Sequence, residues 1–297
     1  MKASLTKISL FVLFASIVFA SIVNVNASFK QYEAPLSESE WTFNGNPIGC
    51  NLTHEVPFYG EAKFKQTAGK NELLSFSLSY KRQPISFTKV ASVKSLSADW
   101  FPGQSARNIG ETDVLKGKHI FKAKDMGSWR LLNELEVGRF PTFQYQDFES
   151  RQDQVSVSLS TVGFKQPYDH FLNCLTSLVP HKLPELTKMT LHFDFDKDKV
   201  RPQNLEKLKS LAAYAKYSDN VDIVFINGYT DAKGSKSYNK KLSSRRIASV
   251  QKILSSYGAP ENKFKPSSFG EKFPVATNRK PWGRAKNRRV YVKVMLN

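Results

Sequence analysis

Residues 228–246 read GYTDAKGSKSYNKKLSSRR, a short polar loop running straight into a basic helix. Upstream, residues 221–226, VDIVFI, are apolar and largely β-branched apart from Asp222 and predict a strand ending where the loop begins. Downstream, a helix is expected over residues 237–257. Asn239, Leu242, Ser243 and Arg246 recur at i, i+3, i+4 and i+7, one face of that helix. Ile247, Val250, Leu254 and Tyr257 form a neighbouring apolar stripe that can bury against a sheet. Arg246 is then expected to point toward the strand-end loop that carries Asp231. A carboxylate and a guanidinium facing one cleft grip a zwitterionic amino-acid group, the first accepting from an ammonium and the second forking onto a carboxylate. Taken singly, Asp231 reads equally well as an Asx turn before Gly234, and Arg246 as a solvated helix charge.

Outward from this stretch the same texture continues. Residues 189–195 predict a strand, and residues 203–217 a helix opened by Pro202, where the missing N–H costs little. Leu205, Leu208, Leu211, Ala212 and Ala215 form its expected buried stripe. Strands over 264–269 and 290–296 complete a β-α-β-α-β-β order. A proline-bracketed connector, residues 179–184, precedes this unit and marks a boundary. Before it the pattern is mostly β. Residues 73–80 and 155–160 alternate apolar side chains with serine, the period of half-buried strands. Turn-like breaks recur at Gly45-Asn46-Pro47 and Phe101-Pro102-Gly103, and no long helical stripe intervenes until residues 168–178, which carry Cys174. The expected fold is α+β: a β-rich barrel-like or sandwich domain over 28–182, then the β-α-β-α-β-β domain over 183–297.

The chain has 297 residues and a formal net charge of +18. Residues 183–297 hold 24 Lys+Arg against 10 Asp+Glu, a net +14, whereas residues 28–182 hold 18 against 16. Anion attraction therefore belongs to the second unit. Nucleic acid is the usual partner of such charge, but the N-terminus argues against it. Lys2 and Lys7 precede thirteen uncharged residues, 8–20, and Val25-Asn26-Ala27 offers a small-x-small cleavage site. This is a secretory signal peptide over 1–27, with a single membrane anchor as the alternative. The uninterrupted run of sixteen residues, 8–23, falls short of the roughly 20 that span a bilayer.

Export gives the two cysteines a meaning. An oxidising compartment joins Cys50 to Cys174, the alternative being two separate buried thiols. The five histidines, 54, 119, 170, 181 and 192, are scattered without metal-ligand spacing, so neither a metal nor a catalytic residue is expected, and no cofactor. Asp194, Asp196 and Asp198 start an EF-hand-like run, but Lys199 and Leu205 stand where Gly and Glu are needed.

In order along the chain, Gly228-Tyr229-Thr230-Asp231, Gly234, Asn239, Leu242-Ser243-Ser244-Arg245-Arg246 and Asn287-Arg288-Arg289-Val290 closely resemble the motifs of the OmpA-like peptidoglycan-binding family. The resemblance covers about 110 residues. It implies that Asp231 and Arg246 hold the amine and carboxylate of diaminopimelate in the stem peptide of peptidoglycan. Thr230, Asn239 and Leu242 would line that pocket, with Arg288 or Arg289 in support. Tyr229 replaces a commoner His, and Ile247 a commoner Ala that leaves a wider pocket. The whole plan, a cleaved signal, a β-rich domain of about 150 residues, one widely spaced cysteine pair and an OmpA-like end, resembles the MotY family of sodium-driven polar flagellar motors. Tyr32-Glu33-Ala34-Pro35 and Trp41 are local matches. That resemblance implies a non-enzymatic periplasmic protein in a ring around the basal body, with MotX-like and PomA/PomB-like partners. The competing reading is a general envelope-stabilising wall-binding protein unrelated to motility.

Overall fold

The computed structural model describes residues 28–81, 90–98, 105–148 and 152–297. The expected signal peptide and the break at residues 101–103 lie outside them. Strands β1 (Phe29–Tyr32), β2 (Trp41–Asn46), β3 (Gly49–Val56), β4 (Gly60–Thr67), β5 (Ser75–Ser79), β6 (Val90–Ser97), β7 (Arg107–Asp113) and β8 (His119–Lys124) precede helix α1 (Met126–Glu136). β9 (Arg139–Gln146), β10 (Gln154–Ser158) and helix α2 (Lys165–Ser177) follow. These strands form two sheets, ordered β1-β10-β9-β6-β7 and β2-β3-β4-β5-β8. The alternation read in the sequence is the one that buries. In β3, Cys50, Leu52, His54 and Val56 turn inward, while the residues between them face out. Leu52, Phe64, Phe76, Leu78, Phe121, Phe143 and Val157 share one core between the sheets.

Of the two expected architectures the sandwich is the one found. The sheets do not close into a barrel: among the described residues no ladder joins β7 to β8, or β1 to β2. Helix α1 was not expected. Its apolar face is only Leu131, Leu132 and Leu135, and it opens on Met126-Gly127-Ser128, too short a stripe to stand out by periodicity. Helix α2 begins one turn earlier than expected and buries Tyr168, Phe171 and Cys174. Cys174 is joined to Cys50 by a disulfide, pinning α2 to β3.

In the second half α3 (Leu183–Leu186), β11 (Lys188–His192), α4 (Leu205–Tyr217), β12 (Val221–Tyr229), α5 (Lys236–Ser256), β13 (Phe264–Gly270), α6 (Pro281–Asn287) and β14 (Arg289–Leu296) follow one another. The sheet runs β11-β14-β12-β13, with β12 and β13 parallel and the other pairs antiparallel. Leu191, Val224, Ile226, Val290 and Val292 from one sheet face pack against Leu208, Leu211, Ile247, Val250 and Leu254 of α4 and α5. Two expected core residues are exposed instead. Leu205 stands at the first turn of α4 and Tyr257 just past the end of α5, where each stripe runs off the sheet. Helix α6 interrupts the expected final β-β step. Only Gly283 and Asn287 of it are buried, so it carries no apolar signature.

The connector is stitched to both halves rather than free. Val179 donates to the Pro47 carbonyl at 2.9 Å and accepts from Gly69, while Pro180 accepts from Lys70. Val179 also packs with Ala68 and with Ala213 of α4, Lys182 pairs with Glu72, and His181 meets Ser210.

Two outcomes follow from this half of the molecule. The disulfide closes a loop with a sequence separation of 124, which the chain-entropy model values at about 5 kcal/mol. The double variant Cys50→Ala/Cys174→Ala is expected to lose roughly 2–5 kcal/mol in denaturant unfolding. His54 is buried, donates Nδ1–H to the Glu40 carbonyl, stacks on Trp41 and leaves Nε2 without a partner. Burial lowers its pKa, so the unfolded chain binds the proton more readily. The stability it contributes is complete above the unfolded value of about 6.5 and is lost as pH falls through the depressed folded value. His54→Phe should reduce the loss in denaturation midpoint between pH 7.5 and pH 5.

Candidate functional site

Helix α5 starts at an N-cap, Ser235, whose hydroxyl accepts from the Tyr238 backbone N–H. Its middle turns lean on the end of β12 because Gly228 has no side chain. A Cβ there would stand 2.6 Å from the Ser243 carbonyl oxygen and 2.9 Å from Ile247. Ser243 secures the other side, accepting from Gly270 N and bonding the Ser268 hydroxyl. Gly234, at φ +94°, lets the loop turn back into the helix.

This packing carries Arg246 into the interior, where it is fully buried. Its Nε donates to Lys197 O at 2.8 Å, Nη1 to Tyr229 O at 2.9 Å and Nη2 to Asp194 O at 3.2 Å. The guanidinium also lies over the Phe193 ring, 5.2 Å from its centroid. Burial, helped by the neighbouring charge of Arg288, pulls its pKa down to about 10, still far above neutral pH, so it stays charged. Three of its five N–H groups are used this way, leaving one on each terminal nitrogen.

Asp231 is also buried, and both of its oxygens are engaged. Oδ1 accepts from Lys233 N, the Asx turn weighed from the sequence, and Oδ2 accepts from Arg288 Nη1 at 2.9 Å. Arg288 is itself braced by its Nε bond to Phe193 O. Asn287 holds the surrounding loop. Its Oδ1 accepts from Val275 N and Ala276 N, and its Nδ2 donates to Ala276 O and Asn278 Oδ1. Asn278 Oδ1 in turn accepts from Ala232 N, next to Asp231.

Thr230, Asp231, Asn239, Leu242, Arg246 and Arg288 line one cavity of about 140 Å³. Thr230 Oγ1 is buried at it without a hydrogen-bond partner, and such a hydroxyl is normally satisfied. Asn239 is fixed by donating to Glu271, and Leu242 adds an apolar patch. The cavity is lined by three cationic side chains, Lys233, Arg246 and Arg288, and two anionic ones, Asp196 and Asp231, an arrangement that suits a ligand carrying both charges.

Arg289 lies elsewhere. It stacks on Tyr229, 3.9 Å from the ring centroid, donates to Asn287 O and Phe273 O, and lines a separate hollow with His192 and Tyr291. Arg288 caps α6 and Arg289 opens β14, and only Arg288 of the pair lines the cavity. Ile247 packs in the core and does not line the cavity. Sequence reasoning missed Phe195, Asp196, Lys233 and Tyr238 as lining residues. Asp196 receives the Tyr238 hydroxyl, while its neighbours Asp194 and Asp198 pair with Arg201 and Arg245. The acidic run that resembled a metal loop is spent on these contacts, and its spacing was the available signal.

With this geometry in hand, comparison with known proteins is direct. Two family profiles match the chain: MotY N-terminal domain over residues 32–180 and OmpA family over residues 192–288. The sodium-type flagellar protein MotY of Vibrio parahaemolyticus serotype O3:K6 is 32% identical over 286 residues, 95% of this chain and 97% of that protein. Outer membrane protein A of Bordetella avium is 39% identical over 103 residues, 35% of this chain and 53% of that protein. The peptidoglycan-associated lipoprotein of Pseudomonas putida is 33% identical over 105 residues, 35% and 61% of the two chains.

Lysine cannot reproduce three directed bonds to backbone carbonyls. Arg246→Lys is expected to destabilise the second half by about 2–4 kcal/mol in denaturant unfolding, whereas Arg245→Lys, at an exposed ion pair with Asp198, should stay within about 0.5 kcal/mol.

Proposed function

We propose that this chain, which belongs to the MotY family of sodium-type flagellar proteins, is a non-enzymatic periplasmic motor component that binds peptidoglycan and helps anchor stator units around the basal body. The observation that carries the wall-binding half of this reading is the meeting of Asp231, Arg246 and Arg288 at one small cavity. The ligand is the diaminopimelate of a stem peptide. Its carboxylate takes the free N–H on each terminal nitrogen of Arg246. Its ammonium sits against Asp231, whose charge is shared with Arg288, and the Thr230 hydroxyl gains its missing partner. Being pre-bonded to the backbone, the arginine needs no reorganisation to bind, which lowers the entropic cost of capture. The net +14 of residues 183–297 attracts the domain to an anionic sacculus over several ångströms before the cavity selects.

The motor half of the reading rests on family membership across the whole chain, and on a similar protein whose name states sodium-type flagellar function. In it, the β-rich half contacts MotX-like and PomA/PomB-like proteins in a ring assembly.

The mature protein is expected to sediment with purified sacculi, and Asp231→Asn, Asp231→Ala and Arg246→Ala to lower the bound fraction at least tenfold. Near-ultraviolet circular dichroism establishes that each variant is folded. Unchanged sedimentation of folded Asp231 variants would remove the pocket assignment. Deleting the gene is expected to abolish swimming while filaments still assemble; normal swimming with a leaky envelope would favour a general envelope role.

A further inference from the structure

The two sheets of the first half end side by side on strands that have no second neighbour among the described residues, where β7 pairs only with β6, and β8 only with β5. At the corner between them Leu115 N donates to Ile120 O at 2.9 Å, but beyond that corner no ladder links the two edges. The gap is a cavity of about 340 Å³. One wall is Ile109, Gly110 and Thr112 of β7, and the other is Ala123 of β8 with α1 beyond it. Its floor is aromatic: Phe76, Phe121 and Phe143 stack at 4.8–5.7 Å between centroids.

Three features make this seam more than an imperfect barrel. Edge strands present unpaired backbone donors and acceptors, which an added strand satisfies. The edge is held in shape rather than frayed: the register slips at Val93/Lys94, leaving Ile109 unpaired, and Arg130 Nη1 caps the Ile109 carbonyl at 2.8 Å. The rim is basic as well. Lys122 and Lys124 alternate along β8 with the inward Phe121 and Ala123, and with Arg130 they are exposed and form no ion pair among the described residues. Glu111 is the one acidic residue among those lining the gap.

We infer that the seam between β7 and β8 is a docking groove for an extended segment of another protein, with aliphatic residues at alternate positions and acidic residues between them. A strand lying in the gap hydrogen-bonds to the free edge of β7 or β8. Its side chains alternate, so one set enters the aromatic-floored cavity while the other faces Lys122 and Lys124 as cross-strand ion pairs. Complementary charge selects the partner, and the cavity sets the register. This site is separate from the wall-binding cavity and independent of that reading.

The test uses the full mature chain and a synthetic seven-residue peptide, Glu-Val-Glu-Ile-Glu-Val-Glu with blocked ends, followed by fluorescence anisotropy and amide hydrogen exchange. Saturable binding is expected, with exchange slowed in residues 107–113 and 119–124. Ala123→Trp fills the cavity, and Lys122→Glu/Lys124→Glu reverses the rim at exposed positions that do not threaten folding. Each is expected to weaken binding at least tenfold with an unchanged melting temperature. The same peptide with lysine in place of glutamate should bind at least tenfold more weakly. The proposal is overturned by absent binding, by protection confined to other strands, or by equal affinity of the charge-reversed double variant. A concentration-dependent dimer in sedimentation velocity that Ala123→Trp abolishes would also overturn it, since the occupant would then be a second copy of this chain.

Discussion

The guanidinium of Arg246 is a buried cation whose three bonds end on backbone carbonyls of three separate points, Asp194 and Lys197 after β11 and Tyr229 at the end of β12. An unpaired buried charge is costly, so those carbonyls cannot move away while the fold persists. The arginine therefore holds the β11 and β12 loops at fixed spacing, and the cavity is the space left between them. Asp231 is placed by the same constraint, because it follows Tyr229 by two residues and is steadied by Arg288 and the Asx turn. What makes the site rigid is that Arg246, Asp231 and Arg288 are each committed to the protein by hydrogen bonds at the cavity wall.

Rigid placement extends beyond the site. Close backbone approach at Gly228 sets the height of α5 over the sheet, and Asn287 spends its amide on the loop that supports Ala232. Farther off, the disulfide ties α2 to β3, and Val179, two residues past that helix, bonds to the turn between β2 and β3. The connector leaves the first half anchored on both sides and meets α4 through Val179 and Ala213. A proposed wall anchor and a proposed motor-contact module gain from such a joint, since force applied at one end passes through packed chain rather than a slack tether.

Much of this was legible in advance, and for identifiable reasons. Helix α5 shows its polar face at i, i+3, i+4 and i+7 because those residues must all turn inward, and Asn239, Leu242, Ser243 and Arg246 are all buried. The serine-apolar alternation in β5 showed because Phe76 and Leu78 face the core, whereas β10 is not half-buried as expected: Ser156 and Ser158 are buried along with Val155 and Val157. Helices α1 and α6 were not legible, since one buries three leucines in a single turn and a half and the other buries a glycine and an asparagine. Asp196 and Tyr238 were hidden for a different reason: 42 residues separate them along the chain, and no local period records a contact that distant.

The sequence by itself determined the two-part plan, the α+β class, the uneven charge and about half of the residues that line the cavity, because hydrophobic period and net charge are properties of the chain read locally. Only the tertiary structure decided which arginine of the Arg288-Arg289 pair reaches the cavity, that Arg246 is bonded to backbone rather than to Asp231, and that the β-rich half stays open between β7 and β8. Those three outcomes depend on where strands distant in sequence come to lie. Side-chain direction at an element boundary, backbone carbonyl positions and sheet closure are set by long-range packing that no short stretch of residues encodes.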